Sequence, residues 1–204
     1  MSKLQVATPT NAPDPPQQRP PDRARHQPLT MALHWLTVVA VLGQFGFAIA
    51  HAQVGDADLR RALLTAHRSL GVLIALLIVV RVTWRLFGMR LPPFPNSMSR
   101  FHQIGARLSE WGLYGLLLAQ PATGLLQTAL RGRPFTLFGI QVPALMAADK
   151  SMADLAHMAH ELGAYALAGL VLVHASAAIL HRVIGNDGVL DSMLPIRASD
   201  KRGR

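Results

Sequence analysis

The chemically distinctive residues of this sequence are its nine histidines, because several of them lie inside long apolar stretches. Four occur in "HMAHELGAYALAGLVLVHASAAILH", which runs from His157 to His181. Imidazole binds metals and carries protons, and ionisable groups are costly in an apolar environment. The sequence has no cysteine, which excludes disulfides, iron–sulfur clusters and thiolate metal sites. Any redox centre must therefore be held by histidine or methionine.

Four apolar stretches must position these histidines, and half of the 204 residues are hydrophobic. The stretches cover residues from about 31 to 51, from 58 to just before "LPPFP", from about 105 to 129 and from 152 to 184. Each is long enough to cross ~30 Å of hydrocarbon as a helix. Thr30, Asp58 and Ser151 are the expected helix starts. The sequence therefore predicts an all-α fold, an integral membrane four-helix bundle.

The segments outside these stretches predict the domain organisation and the topology. Residues 1–28 are rich in proline, glutamine and charge and predict a disordered tail, residues 29–188 the transmembrane domain, and residues 189–204 a second tail. Most lysines and arginines lie in the two tails and between residues 85 and 107. By the positive-inside rule, both termini are expected in the cytoplasm. The net charge of +9 is thus explained without nucleic-acid binding.

The histidines form two pairs at matching depths. His67 and His160 each follow an expected helix start by nine residues, which places both ~13 Å along helices that begin on the outer side. His174 lies fourteen residues after His160, which is ~21 Å deeper on the same helix face. His34 lies near the start of a helix that begins on the inner side, at the level of His174.

Two histidines at one depth on different helices suit the two sides of a haem iron inside a bundle. The spacing therefore predicts two haems, with His34 and His174 as one pair of axial ligands and His67 and His160 as the other. Two alternatives remain: the histidines are hydrogen-bonded polar residues, or they line a proton channel. His157, one turn from His160, is the main rival ligand.

Six short motifs of the sequence resemble those of a known protein family. They are "LHWL" at residues 33–36, "HRSLG" at 67–71, "LYGLLLAQPATG" at 113–124, "HELG" at 160–163, "VHASAAILHR" at 173–182 and "DGVLDSMLP" at 187–195. In this order, they resemble the bacterial cytochrome b561 family of four-helix, dihaem, quinone-linked membrane cytochromes, over residues from about 30 to 195. The resemblance implies haem b on His34 and His174 near the cytoplasm and haem b on His67 and His160 near the periplasm. The sequence departs from many relatives at "SEWGLY", where they carry a histidine and this chain has Glu110 or Trp111.

Three further residues are candidate contacts for the cofactor or a quinone. Arg81 lies fourteen residues after His67, so it should reach the depth of the inner haem, where a haem propionate or a quinone oxygen could satisfy its charge. Arg85, one turn further on, either extends to the membrane surface or contacts the cofactor. His181 is either a partner of a quinone carbonyl or propionate, or an interfacial histidine.

The resemblance implies electron transfer between the periplasmic face and a membrane quinone in the bacterial inner membrane. One candidate activity is an oxidoreductase that oxidises superoxide to oxygen and reduces ubiquinone; basic residues on the outer side would attract that anion, namely Arg60, Arg61, Arg68, Arg131, Arg133 and Lys150. The alternative is a haem b subunit that passes electrons between quinol and a dehydrogenase, hydrogenase or periplasmic carrier. The non-redox alternative is a histidine-lined proton or metal transporter. No catalytic residue is assigned.

Overall fold

The computed structural model describes residues 27–88 and 98–185, together with Leu190 and Met193. Over these residues the chain forms four long helices: α1 (Pro28–Gln53), α2 (Ala57–Phe87), α3 (Arg100–Leu130) and α4 (Lys150–Leu180). Two short strands, β1 (Phe135–Leu137) and β2 (Ile140–Val142), lie between α3 and α4, and a π-helical turn (His181–Gly185) follows α4. Residues 1–26 of the predicted N-terminal tail and most of the predicted C-terminal tail lie outside the described residues, and Pro28, predicted as the last residue of that tail, belongs to α1.

Aspartates two residues before the predicted starts cap α2 and α4. The Asp56 carboxylate accepts a hydrogen bond from the Leu59 backbone N–H at 2.7 Å, and the Asp149 carboxylate accepts one from the Met152 N–H at 3.0 Å. The expected starts at Asp58 and Ser151 were therefore wrong, because the earlier carboxylates satisfy the first free N–H groups. This contact with the Met152 N–H also lowers the pKa of Asp149. Since both helices lengthen by two residues, His67 and His160 keep equal distances from their helix starts.

Helices α1 and α3 also begin earlier than expected. Pro28 occupies the first turn of α1, where its missing N–H costs nothing. Thr30 is therefore inside the helix and not its cap; its hydroxyl accepts a hydrogen bond from the Trp84 indole N–H at 3.1 Å. At α3, the Ser99 hydroxyl accepts from the His102 backbone N–H at 3.3 Å, which starts the helix at Arg100.

Three of the four helices are long and apolar enough to cross a membrane, namely α1, α2 and α4 with its π-helical extension. Helix α3 has the same length as α2, but Gln120, Pro121 and Gln127 lower its mean hydropathy. Length and composition thus support three of the four expected membrane-spanning helices. A membrane crossing by α3 stays a prediction.

The helices pack as a bundle in which α3 contacts α4 and α2, and α1 contacts α2. A core cluster joins all four helices through the buried residues Val41, Ile74, Ile78, Tyr114, Leu117 and Leu167. Many large apolar side chains point outwards instead, such as Val39, 65% exposed, and Leu42, 66% exposed. An apolar exterior of this kind matches lipid as the solvent.

The strands form an antiparallel hairpin in which Phe135 pairs with Val142 and Leu137 with Ile140. Phe138 and Gly139 make the turn with φ of 52° and 78°, and both positive values suit a type I′ turn. The Phe138 N–H donates to the Ser69 hydroxyl at 2.8 Å, which fixes the hairpin on α2. No strand was expected from the sequence, so the all-α prediction needs this correction. We call this end of the bundle, where α2 and α4 begin, the hairpin end.

Candidate functional site

A cavity of about 410 Å³ lies between the helices towards the hairpin end. All four helices line it, mainly with apolar side chains that include Val41, Ile74, Leu117 and Leu167. Its volume falls within the range of ~300–1,000 Å³ that is typical of cofactor and ligand sites. The cavity can therefore shield a large apolar molecule from water and lipid.

His67 of α2 and His160 of α4 face each other across this cavity. Their ring centroids are 6.2 Å apart, and the ring planes are nearly perpendicular at 81°. Metal–imidazole bonds are about 2 Å long. The length of two such bonds in line plus the radius of each imidazole ring is close to the observed distance between the ring centroids. The spacing of the two rings is thus compatible with both of them holding one metal ion.

Hydrogen bonds to backbone carbonyls fix the tautomer of both rings. The His67 Nδ1–H donates to the Gln44 carbonyl at 3.2 Å, and the His160 Nδ1–H donates to the Gln120 carbonyl at 3.0 Å. The Thr123 hydroxyl lies 3.2 Å from the same His160 nitrogen. In each ring, Nε2 is then the nitrogen that carries the lone pair, which is the coordinating atom of a histidine ligand with this tautomer.

Two glycines keep the space around the histidines open. A Cβ added to Gly124 would lie 3.1 Å from the His160 Cε1 atom, and a Cβ added to Gly71 would lie 3.3 Å from the Gln44 amide nitrogen. Either side chain would intrude on the cavity. Facing imidazoles of matched tautomer, apolar walls and open glycine positions together fit a bis-histidine haem.

His157 also lines the cavity but is engaged elsewhere. Its Nδ1 lies 2.9 Å from the Gln127 side-chain oxygen, and its side chain is exposed. His51 similarly donates from Nδ1 to the Arg60 carbonyl at 3.1 Å. Since the His67 ring lies 6.2 Å from that of His160, the geometry supports His160 rather than His157 as its partner. Within the described residues, no group of three or more histidines and carboxylates that could hold a metal ion occurs.

At the opposite end of the bundle, the predicted inner-site residues lie among charged side chains. The Arg81 guanidinium lies 5.4 Å from the centre of the Tyr114 ring, and Arg85 forms an ion pair with Glu110 at 2.9 Å. Glu110 and Arg81 are the charged groups that act electrostatically on His174. Arg85 is thus turned inwards, with only 10% of its side chain exposed, and does not extend to the surface.

The second predicted ligand pair, His34 and His174, lies at the end opposite the hairpin. His34 lies six residues after the start of α1, and His174 six residues before the end of α4. Because α1 and α4 run in opposite directions, these positions correspond to a similar depth in the bundle. The His34 ring contacts that of Trp35, with the centroids 5.6 Å apart, and the pairing of His34 with His174 stays a prediction.

His181 follows the end of α4 as the first π-helical residue, and its ring contacts that of a second histidine. Its ring centroid is 5.9 Å from that of His102 in the first turn of α3, with the ring planes perpendicular at 88°. π-Helical turns are frequent at functional sites. The role of His181 towards a quinone stays a prediction.

The profile of the family described as prokaryotic cytochrome b561 matches residues 25–195. The chain belongs to this family. Cytochrome b561 homolog 2 of Escherichia coli (strain K12) is 31% identical over 179 residues, which cover 86% of this chain and 94% of that relative. A Yersinia pestis protein described as "Probable superoxide oxidase CybB" is 27% identical over 173 residues, which cover 82% and 94%, respectively.

Membership of the cytochrome b561 family confirms the resemblance and makes this chain a membrane electron-transfer protein that binds haem b. The family finding also favours the cytochrome interpretation over a histidine-lined transporter. The residues of the cavity at the hairpin end, with His67 and His160 in ring contact across it, are the candidates for holding this cofactor.

The basic residues predicted on the outer side of this cytochrome are not equivalent. Arg68 and Arg131 line the cavity, and the Arg68 guanidinium lies 5.8 Å from the centre of the Phe135 ring. Arg61 and Lys150 are instead exposed and paired with Asp58 and Asp154, respectively. The sequence alone did not separate these two groups, because the separation depends on the hairpin and on the end of α3.

Sequence reasoning also missed the supporting glutamines. Gln44, Gln120 and Gln127 all line the cavity and contact His67, His160 and His157. Their signal was present in the sequence as isolated amides in apolar helices, where polar side chains need partners. Gln120 and Gln127 also explain the low hydropathy of α3.

Proposed function

We propose that this cytochrome holds two haem b groups and carries electrons between the hairpin end and a membrane quinone. The observation that carries the proposal is the pair His67 and His160, 6.2 Å apart across an apolar cavity. When bound, haem b supplies a reversible one-electron carrier. The chain supplies the axial ligands and excludes water from the site.

The residues at the hairpin end can bind the whole cofactor and not only its iron. His67 and His160 would hold the iron through their Nε2 atoms, and the apolar walls suit the porphyrin. Arg68 and Arg131, which line the same cavity, can neutralise the cofactor's carboxylates through charge-assisted hydrogen bonds. Arg68 is half-buried, which increases its need for an anion.

The second haem would be held by His34 and His174 at the opposite end. The corresponding positions of these residues along α1 and α4 support the pairing. Arg81, which acts electrostatically on His174, is the candidate partner for a propionate. With one haem near each end, electrons could cross the bundle in two steps.

The quinone site, with ubiquinone as the proposed acceptor, lies at the end opposite the hairpin. Quinone reduction places negative charge on the ring oxygens, so its site needs hydrogen-bond donors and a proton source. His181 can supply both, and Arg81 or Arg85 can stabilise the charge. Arg85 is already paired with Glu110, which favours Arg81 of the two arginines.

Superoxide is the proposed electron donor at the hairpin end. Each superoxide anion would give up one electron and leave as O₂, and two such electrons with two protons convert ubiquinone to ubiquinol. The exposed residues Arg60 and Arg133 at the same end add a positive field that would attract this small anion. The similarity to the Yersinia pestis relative supports this activity.

This direction of transfer requires a defined orientation in the bacterial inner membrane. The hairpin end would face the periplasm, and both termini would face the cytoplasm. The concentration of lysine and arginine in the tails and between residues 85 and 107 supports this topology.

The test is superoxide-driven reduction of ubiquinone by the purified protein. A continuous superoxide source should reduce the haems and then ubiquinone, and added superoxide dismutase should abolish both. Arg133→Gln should slow the first step at low ionic strength, with a smaller effect in high salt. Haems that quinol reduces but superoxide does not would contradict the proposal and favour the haem b subunit of a dehydrogenase, hydrogenase or periplasmic carrier system.

A further inference from the structure

Gln44 of α1 contacts both ring nitrogens of His67. Its backbone carbonyl accepts the His67 Nδ1–H at 3.2 Å, and its side-chain amide nitrogen lies 3.1 Å from His67 Nε2. The two contacts require one arrangement of protons. Because the carbonyl can only accept, Nδ1 carries the proton, and Nε2 must accept a hydrogen bond from the Gln44 amide.

The amide of Gln44 therefore occupies the nitrogen of His67 that would bind iron. It also lines the cavity and packs close to Gly71, where an added Cβ would be 3.3 Å from the amide nitrogen. Any group that binds His67 Nε2 must first displace this amide.

The stabilisation from this hydrogen bond is partly offset by the other polar atom of the same side chain. The Gln44 side-chain oxygen is buried and has no hydrogen-bond partner. A buried acceptor without a partner is destabilising, in contrast to one that is satisfied by the protein or water. A single hydrogen bond, from the amide nitrogen to His67 Nε2, thus holds the Gln44 side chain in place, so a stronger interaction at His67 Nε2 can displace it.

His160 on the other side of the cavity differs in this respect. Its Nδ1 is held by the Gln120 carbonyl and contacted by the Thr123 hydroxyl, and no side chain of the described residues hydrogen-bonds to its Nε2. The Gln120 side chain lies towards Gly163 instead. The two proposed ligands are therefore held in the same tautomer but differ in how accessible their coordinating nitrogens are.

We propose that Gln44 is a positioning residue for the haem site at the hairpin end: it orients His67 through its backbone carbonyl and competes for His67 Nε2 through its side-chain amide. This inference rests on the proposed function of His67 and His160 as haem ligands. It makes His160 the permanently available ligand and His67 the exchangeable one.

The competition predicts a direction for haem retention. Replacing Gln44 by leucine leaves the backbone carbonyl in place but removes the competing amide. Since one hydrogen bond contributes about 0.5–1.5 kcal/mol, the variant should lose this haem about two- to tenfold more slowly. Gln44→Asn, whose amide is one methylene shorter, should behave in the same way. Agreement between the two variants would separate loss of the hydrogen bond from a gain in apolar packing.

The experiment starts from the haem-loaded protein in detergent. Haem loss to an excess of apomyoglobin is followed by absorbance, and the phase from the hairpin end is the one absent from His160→Ala. Carbon monoxide binding to the reduced protein gives a second readout, because it requires a ligand to leave the iron. Both rates should fall in Gln44→Leu and Gln44→Asn.

Gln127→Leu is the matched control, because Gln127 lines the same cavity but contacts His157. It should leave both rates unchanged. Unchanged or faster haem loss and carbon monoxide binding in the Gln44 variants would overturn the proposal, since a purely supporting side chain has no reason to slow them when removed. A His160→Ala variant that keeps both haems would instead contradict the proposed ligand pair itself.

Discussion

Gly124→Ala should strengthen the scaffold and weaken the haem site at the same time. The added Cβ would lie 3.1 Å from His160 Cε1 and 3.3 Å from its Nδ1, so the ring must move by a few tenths of an ångström. Alanine favours a helix over glycine by about 1 kcal/mol, which should stabilise α3. Overpacking costs about 1–3 kcal/mol, so haem affinity at the hairpin end should fall about five- to hundredfold.

The two effects of Gly124→Ala are measured separately, by thermal unfolding in detergent and by haem titration with optical spectra. Gly115→Ala on the same helix is the matched control, because no atom lies within 4 Å of its added Cβ. It should show the stabilisation of α3 without loss of haem affinity. If Gly124→Ala bound haem with wild-type affinity and an unchanged spectrum, the assignment of His160 as a ligand held by close packing would be refuted.

Three other predictions concern the opposite end of the bundle. Replacing His34 or His174 by alanine should remove the same single haem and leave the hairpin-end haem intact, as measured by haem content and low-spin spectra; loss of different haems would break the pair. His181→Ala should slow electron transfer from haem to quinone with both spectra nearly unchanged, and unaltered kinetics would move the quinone site elsewhere. Arg85→Leu should lower the free energy of unfolding by about 1–3 kcal/mol because it leaves Glu110 without its partner. The double variant, in which Glu110 is also replaced by leucine, should recover part of this loss. If the losses of the two single variants simply added, the ion pair would not stabilise the protein.

The bundle and the depth of its histidines were largely readable from the sequence. Apolar length predicted the helices, and the equal offsets of His67 and His160 from their helix starts survived the correction of both caps from Asp58 and Ser151 to Asp56 and Asp149. Depth along a helix follows from the fixed rise per residue. This is why an error of two residues at both starts left the pairing unchanged.

The supporting contacts could not be predicted in the same way. That Gln44 reaches both nitrogens of His67 depends on the rotation of α1 against α2, which residue spacing along one helix does not determine. The hairpin was missed because each of its strands has only three residues, too few for a clear alternation of apolar and polar side chains. Its turn, Phe138–Gly139, was the available signal.

The proposed haem site at the hairpin end depends most directly on His160 as an iron ligand. The number of haems per protein in His160→Ala and in His157→Ala tests this assignment. The pyridine haemochrome assay gives the number of haems, and the low-spin signal reports whether each iron keeps two axial ligands. The account predicts two haems in the wild type and in His157→Ala, and one in His160→Ala. Two low-spin haems in His160→Ala, together with the loss of one in His157→Ala, would contradict it.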